Sequence, residues 1–149
     1  MIELRVVRVS DLDAFYEFQA DPVAAAMAVF ASRDRASHFE QWTTRIMGNP
    51  DNVARTVLVD GVVAGNVLSW PIDGVRYVGY WIGRDFWGAG VATQAVGLLL
   101  GELTERPLYA DVVQTNRGSQ RVLEKNGFVL IEQRPSHDEG LEEYLYRLD

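Results

Sequence analysis

The chain has 149 residues, 48% of them hydrophobic and 23% charged, with a net charge of −7, two histidines and no cysteine. That composition suits one globular domain with a real core, excludes disulfides and thiolate catalysis, and leaves too few histidines for a histidine-based metal site. The acidic balance argues against nucleic acid as a main ligand, and no run approaches the ~20 apolar residues of a membrane span.

In chain order, the opening MIELRVVRVSDLD carries charges within five residues and lacks an apolar core, so it does not read as a signal peptide, and a cytoplasmic location is expected. Leu4–Val9 alternates as a half-buried strand. Ser10 is placed to cap a helix through Ala20, which Asp21-Pro22 breaks. Ala24–Phe30 reads as a short second helix. A third follows a cap at Ser32 or Asp34, with Phe39, Trp42 and Ile46 at helical spacing, and stops at Gly48-Asn49-Pro50. Ala54–Val59 and Val62–Trp70 flank Asp60-Gly61 as a hairpin, and Pro71–Gly74 turns the chain into Val75–Ile82. Val91–Leu103 is a helix, Leu108–Val113 a strand, and Ser119–Lys125 a helix stopped by Asn126-Gly127. Phe128–Gln133 and Tyr144–Leu148 are final strands around a polar connection over Pro135–Gly140. There are no repeats or linkers. The pattern is α+β with a mixed sheet.

The stretch Trp81–Thr93, WIGRDFWGAGVAT, ends a strand, turns on Gly83, Gly88 and Gly90, and opens a helix near Val91. Strand, glycine turn and helix start present unpaired N–H groups and a positive dipole end to an anion. A P-loop is excluded, because Ala89-Gly90 stand where Lys and Ser/Thr must be. A dinucleotide fingerprint puts Thr93 at its third glycine, with Asp111 at the distance of a ribose-binding acid. That loop lies past mid-chain, however, with too little sequence after it for a Rossmann sheet.

Trp87-Gly88-Ala89-Gly90-Val91-Ala92 resembles a third loop, the [Q/R]-x-x-G-x-[G/A] pattern of the GNAT superfamily of acyl-CoA-dependent N-acetyltransferases, with Trp in the Gln/Arg slot. Asn116-Arg117-Gly118-Ser119-Gln120-Arg121-Val122-Leu123-Glu124-Lys125-Asn126-Gly127-Phe128 resembles N-x-x-S-x-x-x-L-E-K-x-G-F of that family, in its ribosomal-protein N-acetyltransferase (RimJ/RimL-like) branch. The two motifs together are specific, and the likeness is detailed from Tyr77 to Phe128.

The resemblance implies a GNAT-like fold whose fourth and fifth strands splay, with pantetheine in the gap. Tyr80, Trp81 and Ile82 would then offer backbone groups to pantetheine, and Trp87–Thr93 (Trp87, Gly88, Ala89, Gly90, Val91, Ala92, Thr93) would wrap the pyrophosphate. Arg84 and Arg117 are replacement cations for the missing Gln/Arg. Asn116 would bond the pantetheine arm, although Asn also serves as an ordinary helix cap. The family tyrosine that protonates the CoA thiolate is Leu123 here, which leaves Ser119 as the group at the sulfur, or as a helix-start serine. Lys125 reads as a helix C-terminal charge. The family's strand glutamate is Tyr77 here, so Asp111, five residues before Asn116, is the best candidate base, although alternation turns it away from Ala110 and Val112.

The activity implied is transfer of acetyl from acetyl-CoA to a primary amine by direct attack, with Trp81 or Ile82 N–H polarising the thioester carbonyl and no metal. His38, Asp34 and Glu40 lie toward the acceptor side; Phe15, Phe30, Trp42, Trp70 and Tyr77 are candidates to line it. Asp138, Glu139, Glu142 and Glu143 could draw a cationic acceptor, or form a solvated loop. Acceptors compatible with this are a ribosomal-protein N-terminus, a polyamine, an amino acid or an aminoglycoside. The alternatives are a non-catalytic acyl-CoA-binding module of the same fold and a nucleotide-binding domain with a parallel sheet. Homodimerisation through an edge strand is compatible with all of them.

Overall fold

The structure, a computed structural model, describes residues 1–136 and 140–149. His137, Asp138 and Glu139 lie outside the described residues. Among the described residues seven strands form one sheet: β1 (Ile2–Val6), β2 (Val53–Val59), β3 (Val62–Ile72), β4 (Val75–Ile82), β5 (Leu108–Val113), β6 (Val129–Pro135) and β7 (Glu142–Leu148). Their order is β1-β2-β3-β4-β5-β7-β6. Every pairing is antiparallel except β4 with β5. This mixed sheet matches the expected GNAT-like architecture and excludes the parallel sheet of a dinucleotide-binding domain.

Both early hairpins turn on Asp-Gly pairs with positive φ at each residue, Asp60-Gly61 and Asp73-Gly74, the geometry that matches strand twist. β3 runs through Pro71 to Ile72, beyond the expected turn. Proline is tolerated there because β2 begins opposite Ser69, so no partner lies beside the missing N–H.

Among the described residues five α-helices flank the sheet: α1 (Leu12–Ala20), α2 (Pro22–Ala28), α3 (Arg35–Glu40), α4 (Val91–Glu102) and α5 (Arg117–Lys125). α1 starts after Asp11, not at a Ser10 cap. Pro22 begins α2 instead of only breaking α1, as its fixed φ suits a first helical position. α2 ends at Val29 in the left-handed region, which leaves Phe30 outside it. Asp34, not Ser32, caps α3 by accepting the Ser37 N–H at 2.8 Å. α3 continues as a π-helical turn over Gln41–Ile46, with the Met47 N–H reaching back to the Trp42 carbonyl.

Alternation along the strands divides the core in two. Val78 and Ile82 of β4 and Leu108, Ala110 and Val112 of β5 pack with Val91, Ala95 and Leu99 of α4 and Leu123 of α5. On the opposite face Leu12, Phe15 and Trp42 are buried against Ala54 and Leu68.

Candidate active site

β4 and β5 pair only at Arg76↔Leu108 and Tyr77↔Tyr109. Beyond those residues β4 continues to Ile82 with β3 alone beside it, and β5 continues to Val113 with β7, its partner along its whole length. The Gly83 N–H donates to the Ala64 carbonyl of β3 at 2.8 Å. Backbone groups of an antiparallel strand face its neighbour at alternate residues. Tyr77, Gly79 and Trp81 therefore direct their backbone groups to β3, while Val78, Tyr80 and Ile82 direct theirs into the gap. The edge formed by Tyr80 and Ile82 has no strand beside it among the described residues. Trp81 also lines the cleft, but its N–H is directed to β3 and its ring packs against Phe30.

The gap opens into a cleft of about 570 Å³. Tyr80, Trp81 and Ile82 form one wall, and Trp87, Gly88, Gly90, Val91, Ala92 and Thr93 its end. Asn116 and Ser119 stand across from β4, and α2 contributes Ala24, Met27 and Ala28. Of the expected cofactor residues only Ala89 is not in the lining. Asp111 is not in the lining either.

The end of the cleft is built for an anion. Gly88 and Gly90 have φ of 82° and 75°, a conformation that glycine adopts without strain. The first α4 bond in the helix ladder runs from the Gln94 N–H to the Gly90 carbonyl. The N–H groups of Val91, Ala92 and Thr93 precede it and stay available at the positive end of the helix dipole. Arg117, Arg121 and Lys125, four residues apart on α5, line the same cleft and make no ion pair among the described residues. A locally cationic site thus sits on an acidic protein. Arg84, the other cation considered from sequence, is engaged with Asp21 at 2.9 Å. Arg121 was missed, although its spacing from Arg117 and Lys125 is visible in the sequence.

Trp87 acts on the strand. Its indole N–H donates to the Ile82 carbonyl at 2.9 Å, taking one acceptor from the β4 edge and tying the glycine loop to the strand. Trp87→Phe removes this bond without removing the ring. The expected result is an intact fold with acetyl-CoA affinity lowered about fivefold, the worth of one hydrogen bond of about 1 kcal/mol. Calorimetry beside a melting curve reads it, and an unchanged Kd contradicts the role.

Asn116 caps α5, accepting the Ser119 N–H at 3.2 Å. The Ser119 hydroxyl lies 2.5 Å from the Tyr80 hydroxyl. Burial pushes the Tyr80 phenol above its ordinary value, against the opposing hydrogen bond to Ser119.

Asp111 lies two residues beyond the last β4–β5 pair, on the sheet face opposite Ser119. It pairs with Arg134 at 2.7 Å, with about a third of its side chain exposed. Burial raises its pKa, Arg134 opposes that, and Glu143 and Glu132 add to it. The structure therefore does not bring Asp111 and Ser119 together; they flank the gap from opposite faces.

The other acceptor-side residues have structural work. His38 is 3% exposed, with Nε2 at 3.1 Å from the Leu12 carbonyl. Burial lowers its pKa, helped by Arg33 and Arg35 against the Leu12 bond. Phe15 and Trp42 belong to the core. Phe30 packs edge-on against Trp81, and Trp70 stacks on Tyr77. Among the described residues no group of three or more His, Asp or Glu side chains is placed to hold a metal.

The sequence model of the acetyltransferase (GNAT) domain matches residues 2–129. No curated protein sequence matches the chain. Among solved structures, the chain resembles an aminoglycoside acetyltransferase, AAC(6')-Ib, in complex with coenzyme A, at 20% identity and a TM-score of 0.81 over 98% of this chain and 94% of that one. It also resembles yncA of Salmonella typhimurium, a putative acetyltransferase with its cofactor acetyl-CoA, at 17% identity and 0.76 over 99% and 93%. A third is RimL, a ribosomal L7/L12 alpha-N-protein acetyltransferase in complex with coenzyme A, at 19% and 0.77 over 99% and 93%. The family match over most of the chain, on a sheet that splays where that fold requires it, shows that this protein belongs to the GNAT acetyltransferase family.

Proposed function

We propose that residues 1–149 form one acetyl-CoA-dependent N-acetyltransferase domain of the RimJ/RimL-like kind, acting on a primary amine in the cytoplasm. The observation that carries this reading is the open β4 edge, which runs directly into the glycine loop and the N-terminus of α4. Acetyl-CoA lies with its pyrophosphate on Gly88–Thr93 and its pantetheine along Tyr80 and Ile82. Arg117, Arg121 and Lys125 supply the charge that Trp87 does not. The residues fit this cosubstrate, since the strand edge has unpaired donors and acceptors of the kind an amide-bearing arm needs.

The amine attacks the thioester carbonyl from the face that carries Trp81 and Asp111. Asp111, directly or through water, accepts the amine proton. The N–H groups of Tyr80 and Ile82 face the gap, so they stabilise the oxyanion better than that of Trp81. The C–S bond then breaks and sulfur leaves toward Ser119. No enzyme nucleophile is needed, in keeping with the absence of cysteine. The carboxylates Asp111, Glu132 and Glu143 around one Arg134 favour a cationic acceptor, and the fold likeness to an aminoglycoside enzyme adds support for that class. Edge strand β6 exposes Val129, Leu130 and Ile131, which supports a homodimer through that edge.

The test is release of free CoA thiol from acetyl-CoA across a panel of N-terminal peptides, polyamines, amino acids and aminoglycosides. Amine-dependent release is expected. Asp111→Asn is expected to lower kcat about 100-fold at unchanged acetyl-CoA affinity. Because its pKa is raised, wild-type activity should fall on the acid side at a pH above that of an ordinary aspartate. Tight acetyl-CoA binding with no release on any amine would instead identify a non-catalytic acyl-CoA-binding module.

A further inference from the structure

By the family resemblance, Leu123 stands where a tyrosine would protonate the CoA thiolate, and leucine has no proton to give. It is 3% exposed and packs in the core under α4. A different phenol enters the cleft from the opposite wall. Tyr80 extends from β4 toward α5, and its hydroxyl meets Ser119 Oγ at 2.5 Å. Both residues line the cleft. Ser119 sits in the first turn of α5, its N–H held by the Asn116 cap and its hydroxyl held by Tyr80.

We propose that Tyr80 is a positioning residue which makes Ser119 a permanent hydrogen-bond donor to the CoA sulfur, the pair replacing the tyrosine absent at Leu123. The inference rests on the acetyl-CoA reading of the cleft.

Each hydroxyl has one proton. Either hydroxyl can donate at this distance, and the shared proton is assigned to Tyr80, the stronger acid of the two. The serine proton is thereby excluded from the Tyr80 direction and turns to the cleft. Burial favours the neutral phenol, so Tyr80 keeps its proton through the reaction and no phenolate forms. When the C–S bond of the tetrahedral intermediate breaks, the bond pair leaves on sulfur and the Ser119 O–H stabilises the thiolate. The proton lost by the amine has gone to the base on the other face, and the departing thiolate takes its proton from solvent on release. The two halves of the proton balance are thus handled on opposite sides of the sheet, in agreement with the separation of Asp111 from Ser119.

The experiment uses CoA itself, so it does not depend on knowing the acceptor. The thiol of CoA bound to the full chain is titrated by thiolate absorbance, in wild type, Tyr80→Phe, Ser119→Ala and the double variant, with CoA affinity measured at neutral pH. Free CoA titrated alongside is the reference, and one donor to the thiolate is expected to lower the bound value by roughly one unit, a tenfold shift. Tyr80→Phe and Ser119→Ala should each raise it again, and the double variant should do no more than Ser119→Ala alone. Phenylalanine keeps the ring and loses one hydrogen bond, so a somewhat lower melting temperature is expected, and the comparison is made at CoA concentrations that saturate every variant. Equal thiol pKa values in wild type and Tyr80→Phe, both with CoA bound, overturn the proposal while leaving the cosubstrate reading intact. Additive effects in the double variant also overturn it, since Tyr80 would then not act through Ser119. Failure of wild type to bind CoA overturns both readings.

Discussion

Gly65→Ala is expected to destabilise the protein by about 3 kcal/mol and to weaken acetyl-CoA binding at least tenfold. Gly65 lies in β3 opposite Ile82. A Cβ there would meet the Trp81 carbonyl oxygen at 2.1 Å and the Ile82 Cα at 2.9 Å. Both are backbone atoms, so no side chain can rotate aside and the strands must separate. Separation falls on the segment of β4 whose backbone lines the cleft, and it pulls on the Gly83–Ala64 bond that anchors the loop. The neighbouring Ala64 is an extra residue in β3, where the register with β2 shifts, and such bulges add local twist. This end of the sheet has little slack. Denaturant unfolding and calorimetry on the same preparation read both effects. A variant with wild-type stability and affinity would show that β4 is not held as described.

Asp11→Ala is expected to cost about 3–5 kcal/mol, the usual penalty for removing one partner of a buried ion pair. The carboxylate is 3% exposed. It accepts both terminal nitrogens of Arg5 at 2.7 and 2.8 Å, the Arg8 N–H at 2.9 Å and the Thr56 hydroxyl at 2.7 Å. Burial alone would raise its pKa, but the bonds from Arg5, Arg8 and Thr56 outweigh it and bring the value down to about 2. The folded value is depressed, so this stabilisation is complete above the unfolded value of 3.8 and is lost as pH falls toward 2. The shift corresponds to about 2 kcal/mol. Urea melts at pH 7 and pH 3 should show wild type losing stability across that window and Asp11→Asn losing less. Equal losses in both would contradict the assignment. The site feels this cluster through α1, because Phe18 of that helix packs where a Cβ on Gly83 would fall.

The parts of the molecule legible in sequence are those set by local chemistry. Asp60-Gly61 and Asp73-Gly74 specify their hairpins, because few other residues take positive φ at both positions. Gly88 and Gly90 mark the turn into α4 for the same reason. The face of Asp111 followed from strand alternation. What stayed hidden depends on residues far apart in the chain. Ser10 looked like a cap because serine often is one, but Asp11 takes the position as Arg5 and Thr56, from two strands, converge on it. Trp87 read as a lost phosphate ligand, and only the folded loop shows its indole on Ile82. Tyr80 and Ser119 are 39 positions apart, and no local pattern joins them. β7 lies between β5 and β6, a long-range choice that the periodicity of three short strands does not specify.

Acetyl-CoA binding in the gap between β4 and β5 underlies the proposed function. Isothermal titration of the purified chain with acetyl-CoA, CoA and NAD side by side reads it. Both CoA forms are expected to bind and NAD is not, with affinity lost on Arg117→Glu/Arg121→Glu. No heat from either CoA form at millimolar ligand, or equal binding of NAD, would contradict it.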